Sequence, residues 1–200
     1  MQLELFNTDN NVGTTWLSDD DWETPNSLAK FVAELVSDCK TILAPGAGRG
    51  QIEKYLSPQA EIYAIENNYK RFIEGRKNVA NAHWQHADFF QVNPLQVQAV
   101  VCNPPFSQGC EFIEQSLNWL DTSFPKARCV FILPIDFFCA KERGRFISGL
   151  NCHFYQQYPI VGRIAFLRDG APENRPQRYH AVFDIRPGQS DDSAYNLTWI

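Results

Sequence analysis

The tetrapeptide Asn103-Pro104-Pro105-Phe106 carries the most specific chemistry in this sequence. Two consecutive prolines hold φ near about −65° and remove two N–H donors, so the turn is stiff and displays carbonyl oxygens and the flanking side chains. A planar base entering such a turn could give both hydrogens of an exocyclic amine to acceptors, one to Asn103 Oδ1 and one to the Pro104 carbonyl, while the Phe106 ring stacks on it. That geometry answers a chemical difficulty. The lone pair of an aryl amine is delocalised into its ring, and accepting both N–H bonds favours pyramidalisation, which localises the pair for in-line attack on an electrophile. No metal and no strong base are needed. The plainer reading of the same residues is a Pro-Pro turn that caps the next helix.

A second group of residues suits a nucleoside. Gly46, Gly48 and Gly50 alternate in Pro45-Gly-Ala-Gly-Arg-Gly50, where a ligand can approach the backbone closely and positive φ costs little. Gln51 stands where a dinucleotide fingerprint requires its third glycine, and the G-x-G-x-G form is the one found in S-adenosylmethionine (SAM) sites. Glu66 follows Gly46 by 20 residues, at the end of a strand-like run, where a carboxylate accepts from two ribose hydroxyls. Asp88, in His86-Ala-Asp88-Phe89-Phe90, is placed to accept from an adenine amino group, with Phe89 as an apolar wall. Taken singly, a glycine turn is often only a turn, and such acids are often caps.

These residues need strand ends to hold them. Strand patterns fall at 41–44, 61–66, 83–87, 98–102 and 128–133, and helical patterns at 49–57, 68–78, 109–120 and 137–148. Before them, Thr24 and Pro25 suit a helix start, with Leu28, Phe31, Val32, Leu35 and Val36 at helical spacing. Alternating strands and helices predict parallel β-α-β units with helices on both faces. The last quarter breaks that rhythm. Strand-like runs within 153–166 and over 179–186 are joined by the Gly, Pro and Arg-rich stretch 168–178 without a helix, which predicts an antiparallel hairpin at one end of the sheet. Residues 1–20 read as a flexible acidic arm, 21–188 as a single domain and 189–200 as a tail.

Composition bounds the function. The 200 residues are 44% hydrophobic and 20% charged, as in an ordinary soluble domain, and no apolar run approaches the roughly 18 residues of a membrane span. The amino end lacks a basic flank and a hydrophobic signal core, so a cytoplasmic location is expected. Six scattered cysteines without Cys-x-x-Cys read as buried, reduced thiols, and the four histidines form no metal-ligand pattern. The net charge of −5 argues against indiscriminate binding to polyanions, but it is unevenly spread. From Lys141 to Arg186 eight basic residues face four acids, giving +4 and leaving −9 for the rest. That late segment reads as solvated surface or as a phosphate-facing side.

With these residues together, the sequence resembles the class I SAM-dependent methyltransferases, and within them the amino methyltransferases that modify adenine at N6. Trp22-Glu-Thr-Pro25, the loop 44–50, Glu66, Asp88 and Asn103-Pro-Pro-Phe106 occur in the family's order. The resemblance implies a Rossmann-like α/β fold with a mostly parallel seven-stranded sheet, and SAM as cofactor without a metal. Trp22, Thr24 and Pro25 would lie by the methionine part, Ala44, Gly46, Gly48 and Gly50 beneath it, Glu66 on ribose, and Asp88 with Phe89 on adenine. Asn103, Pro104, Pro105 and Phe106 would hold the target base. The family's loop usually opens with Asp or Glu, which meets the SAM amino group, and here Ala44 stands there. Either Glu23, a backbone carbonyl or water takes over, or affinity for SAM is lowered. The implied activity is methylation of adenine N6 in DNA, with the base flipped from the stack and Lys141, Arg143, Arg145, Arg168, Arg175 and Arg178 on phosphates. Alternatives are adenine in RNA, a protein glutamine amide, and SAM binding without turnover.

Overall fold

A computed structural model describes residues 22–168, 170–172 and 178–189. The acidic arm 1–20, Arg175 and all of the tail except Gln189 lie outside the described residues. Among the described residues there are nine strands: β1 Thr41–Pro45, β2 Glu61–Glu66, β3 His83–His86, β4 Ala99–Cys102, β5 Arg128–Pro134, β6 Cys152–Pro159, β7 Leu167–Arg168, β8 Ala171–Pro172 and β9 His180–Pro187. The helices are α1 Asn26–Glu34, α2 Tyr69–Asn78, α3 Gly109–Asn118 and α4 Lys141–Ser148.

Seven strands form one sheet in the order β3-β2-β1-β4-β5-β9-β6, and β7 pairs with β8 in a small hairpin. Strands β1 to β5 run parallel, and β9 lies antiparallel between β5 and β6. This is the mostly parallel, hairpin-ended sheet expected from the sequence. The chain leaves β1 toward β2 on one side and later returns to β4 on the other, so a crevice opens where the order reverses.

The period of two along each strand divides the core into two layers. Ile42 and Ala44 face the layer containing Leu28, Ala29 and Val32 of α1 together with Ile52 and Leu56. Leu43 faces the opposite layer, with Phe112 and Ile113 of α3 and Ile147 of α4. β4 and β5 are buried at every position, as continuous apolar runs in the middle of a covered sheet must be, whereas β3 at the edge is mostly exposed.

Four local expectations are corrected. The pattern over 49–57 forms turns and a single 3₁₀ turn, Glu53–Tyr55, instead of an α-helix. Gly48 and Gly50 take positive φ, which breaks the helical path, and Pro58 stops it. The stretch 137–148 opens with a 3₁₀ turn, Phe137–Cys139, and the extended Ala140 delays α4 to Lys141, because Phe137 and Phe138 both turn into the core. Pro25, not Thr24, is the N-cap of α1, and no side chain caps it. Cys139 is exposed and Cys110 and Cys152 are half-buried, so only Cys39, Cys102 and Cys129 match the buried thiols expected; all six are free.

Candidate active site

The crevice is a cleft of about 820 Å³ at the carboxyl ends of β1 to β4. At its centre the glycine loop leaves β1. Gly46 and Gly48 sit at φ 64° and 58° and line the cleft, and a Cβ on Gly48 would meet nothing within 4 Å. Backbone conformation, not crowding, therefore calls for glycine there. Gly50 differs. It faces away from the cleft, and a Cβ on it would lie 2.7 Å from Val79 Cγ2, so it serves the packing of the loop on the segment after α2.

Glu66, at the end of β2, is 4% exposed and anchors this loop. Its Oε2 accepts the Gly48 amide at 2.8 Å and its Oε1 the Asn68 amide at 2.7 Å. Burial raises its pKa, while the amides of Asn68 and Gly48 act in the opposite direction. The Asn67 amide acts in the same sense, and the carboxylate keeps acceptor capacity for a hydroxyl donor. Asp88 follows β3, where Oδ1 accepts the Phe90 amide at 3.0 Å and caps the short turn Phe89–Gln91. Phe89 lines the cleft but is mainly a core residue, packed on Phe112 and Trp119; the more exposed Phe90 also lines it.

Asn103 follows β4 and lines the cleft. Its Nδ2 donates to the Trp22 carbonyl at 3.2 Å, which fixes the amide, and its Oδ1 is buried without a hydrogen-bond partner. Pro105 lines the cleft and Pro104 is buried behind it. Phe106 is half-buried and does not line the cleft; its ring lies 5.6 Å from that of His180. His180, which the sequence did not single out, opens β9 and is also in edge contact with Phe166 at 4.8 Å. Burial lowers its pKa to about 4, so the ring is neutral at pH 7.

The segment before α1 closes one side. Glu23 and Leu167 exchange backbone hydrogen bonds at 2.7 and 3.0 Å, joining this segment to the β7-β8 hairpin. The Glu23 carboxylate pairs with Arg49, which also pairs with Glu74, and accepts from Gln51 Nε2 at 3.2 Å. Trp22 and the buried Thr24 line the cleft, whereas Pro25 does not. Ala44 is fully buried in β1 and reaches no part of the cleft. An acid does lie close by. Glu53, three residues after the loop, is 3% exposed, lines the cleft and has an unpartnered Oε2. Burial pushes its pKa up to about 7. The signal in the sequence was a carboxylate set between the apolar Ile52 and Leu56, which a helical reading of 49–57 concealed.

Of the basic residues, Lys141, Arg145 and Arg178 are exposed, Arg143 lies over the Phe137 ring at 4.4 Å, and Arg168 lies over Trp22 at 4.2 Å. α4 starts beyond the end of β5, and His180 pairs with Pro134 at that same end. Connectivity therefore puts Lys141, Arg143, Arg168 and Arg178 on the side of the sheet where the cleft opens, with Arg145 further along α4. Among the described residues no cluster of three His, Cys, Asp or Glu side chains could hold a metal, and no helix is long and apolar enough to cross a membrane.

Comparison with solved structures places this architecture. The chain aligns with PH1948 from Pyrococcus horikoshii, described as an RNA methyltransferase, at 15% identity and a TM-score of 0.66 over 88% of this chain and 89% of that one. It aligns with the N-methyltransferase NodS from Bradyrhizobium japonicum WM9 at 12% identity and a TM-score of 0.61, over 82% and 96% of the two chains. With aTrm5, solved in complex with tRNALeu, identity is 16% and the TM-score 0.58 over 81% of this chain and 45% of the other. The fold is thus Rossmann-like and shared with methyltransferases. No protein-family model matches the sequence, and no curated protein matches it either.

Proposed function

We propose that the protein is a SAM-dependent methyltransferase and that its acceptor is a planar NH₂ group, the N6 amine of adenine in DNA. The observation that carries the reading is the buried, unpartnered Oδ1 of Asn103 at the edge of a cleft floored by a glycine loop. A buried acceptor without a donor costs about 1–3 kcal/mol, and an incoming N–H recovers that cost. The cleft also suits the cofactor. Glu66 retains acceptor capacity for a ribose hydroxyl, Asp88 keeps its second oxygen for an adenine amine, and Gly48 leaves the backbone open to the tail.

SAM, when bound, supplies a methyl group on a sulfonium. The residues of this chain orient the acceptor. Asn103 Oδ1 and the Pro104 carbonyl accept the two N6 hydrogens, and Phe106, braced on His180, is the stacking partner. Held in this way, the amine's lone pair would be localised for attack on the methyl group that SAM would supply, with S-adenosylhomocysteine as the leaving group and one N6 proton passing to water. Lys141, Arg143, Arg145, Arg168, Arg175 and Arg178 contact phosphates in this reading.

RNA adenine is the second reading, favoured by neighbours described as an RNA methyltransferase and as a complex with tRNALeu. The deciding experiment incubates the protein with SAM and separate unmethylated DNA and RNA pools, digests both to nucleosides and analyses them by mass spectrometry. N6-methyldeoxyadenosine is the expected product. Methyladenosine from RNA alone would install the second reading, and silence in both, with SAM bound, would point to protein glutamine. No thermal stabilisation by saturating SAM would remove the cofactor itself, since a ligand at a hundred times its Kd adds about 2.7 kcal/mol.

A further inference from the structure

Glu53 is a buried acid in the cleft that the reaction above does not use. Its side chain is shielded from water, lines the cleft, and keeps Oε2 without a partner. The neighbouring cations are engaged elsewhere. Lys54 Nζ donates to Asn26 at 3.0 Å and to Gln51, while Arg49 pairs with Glu23 and Glu74. Glu23, the other acid on this side, is committed to Arg49 and Gln51. Glu53 lines the same cleft as Glu66 at the end of β2 and Cys102 and Asn103 at the end of β4, and its neighbour Ile52 belongs to the core layer that Ile42 and Ala44 of β1 face.

A carboxylate so placed needs a cation with N–H donors. In a ligand whose ribose lies on Glu66 and whose methyl points to Asn103, the group over β1 is the amino-acid tail. The tail carries an α-ammonium with three donors, whereas the sulfonium has none. We propose that Glu53 binds the α-ammonium of the cofactor's methionine half and does what an acid at position 44 would otherwise do. This rests on the methyltransferase reading. Burial drives Glu53 toward its neutral form against the amides of Glu53 itself and Ile52.

Calorimetric titration of the wild type and Glu53→Gln with S-adenosylhomocysteine (SAH), and with an SAH analogue bearing hydrogen in place of the α-ammonium, tests the assignment without turnover. The wild type should prefer SAH by about tenfold or more, and Glu53→Gln should bring the two ligands within about twofold by weakening SAH alone. A preference that survives the substitution overturns the Glu53 assignment and leaves the methyltransferase reading standing. A wild type that binds neither ligand overturns both. The wild type also offers a readout that does not depend on the variant folding. The Glu53 carboxyl ¹³C resonance should move on addition of SAH and stay in place with the analogue, and a resonance indifferent to SAH counts against the proposal.

Discussion

The two ends of the cleft treat their polar groups in opposite ways. Around β2 and β3 the acids are already engaged: Glu66 holds two loop amides and Asp88 caps the turn that follows it. Around β1 and β4 the fold leaves Glu53 Oε2 and Asn103 Oδ1 buried and unpartnered. Ser116 Oγ and Trp119 Nε1 are also buried without a partner, but away from the cleft, whereas Glu53 and Asn103 line it, where a ligand could supply the donor. The first end is a frame built before any ligand arrives. The second is incomplete until a donor enters, and its cost to stability is the complement of what a ligand regains.

That contrast can be tested, beginning with the largest effect. Asn103→Ala should lower the single-turnover methylation rate by about 10³-fold while leaving SAM affinity within about threefold, because the lost acceptor acts on the reacting amine. Equal losses in both would place Asn103 with the frame. Glu53→Gln should stabilise the ligand-free protein at pH 8 by at most about 3 kcal/mol, since the folded state raises the Glu53 pKa from 4.5 to about 7. The sign follows from the proton count. Between those two values the folded state holds a proton that the unfolded state has lost, so the stabilisation present below pH 4.5 disappears as pH rises through 7. Burial is the main cause; Glu66 adds to it and Lys54 opposes it, while Cys102, also facing the site, is kept neutral by its own burial. Urea unfolding at pH 5 and pH 8 should show a larger decline in the wild type than in the variant, the difference being the Glu53 contribution, since Glu66 and His180 titrate in both.

Glu66→Ala should weaken SAM by about 2 kcal/mol, roughly 30-fold, with nucleic-acid affinity unchanged, because it removes the proposed ribose acceptor and frees the loop amides of Gly48 and Asn68. Equilibrium binding of each ligand separates the two effects. The smallest change is expected outside the cleft. Arg178→Ala should weaken nucleic-acid binding a few-fold at low salt and reduce the slope of log K against log salt by about one; an unchanged slope removes Arg178 from the footprint.

Much of the frame was legible in the sequence. The parallel strands appeared as apolar runs, the terminal hairpin as two runs without a helix between them, and the glycine loop, Glu66 and Asp88 as residues at strand ends. Thr24, Gly46, Gly48 and Asn103 line the cleft, whereas Pro25, Ala44, Gly50, Pro104 and Phe106 do not. The difference is one of orientation, which residue type and spacing leave open. A glycine can serve a ligand or its neighbour's packing, and Gly50 does the latter. Glu53 escaped notice because a helical reading of 49–57 concealed a carboxylate set between the apolar Ile52 and Leu56, and His180 because a single histidine carries no spacing signal.

The sequence by itself determined the order of the elements, the conformation of the glycine loop and the chemistry offered by Asn103 and the prolines. These follow from local steric preferences and from periodicity, which act over a few residues. Only the tertiary structure decided which polar atoms would be satisfied. Asn103 is oriented by a carbonyl 81 positions away, and the segment at Glu23 is held by Leu167 across most of the chain. Whether a buried oxygen finds a donor depends on what distant segments bring beside it, and that is a property of packing, which no window of sequence contains.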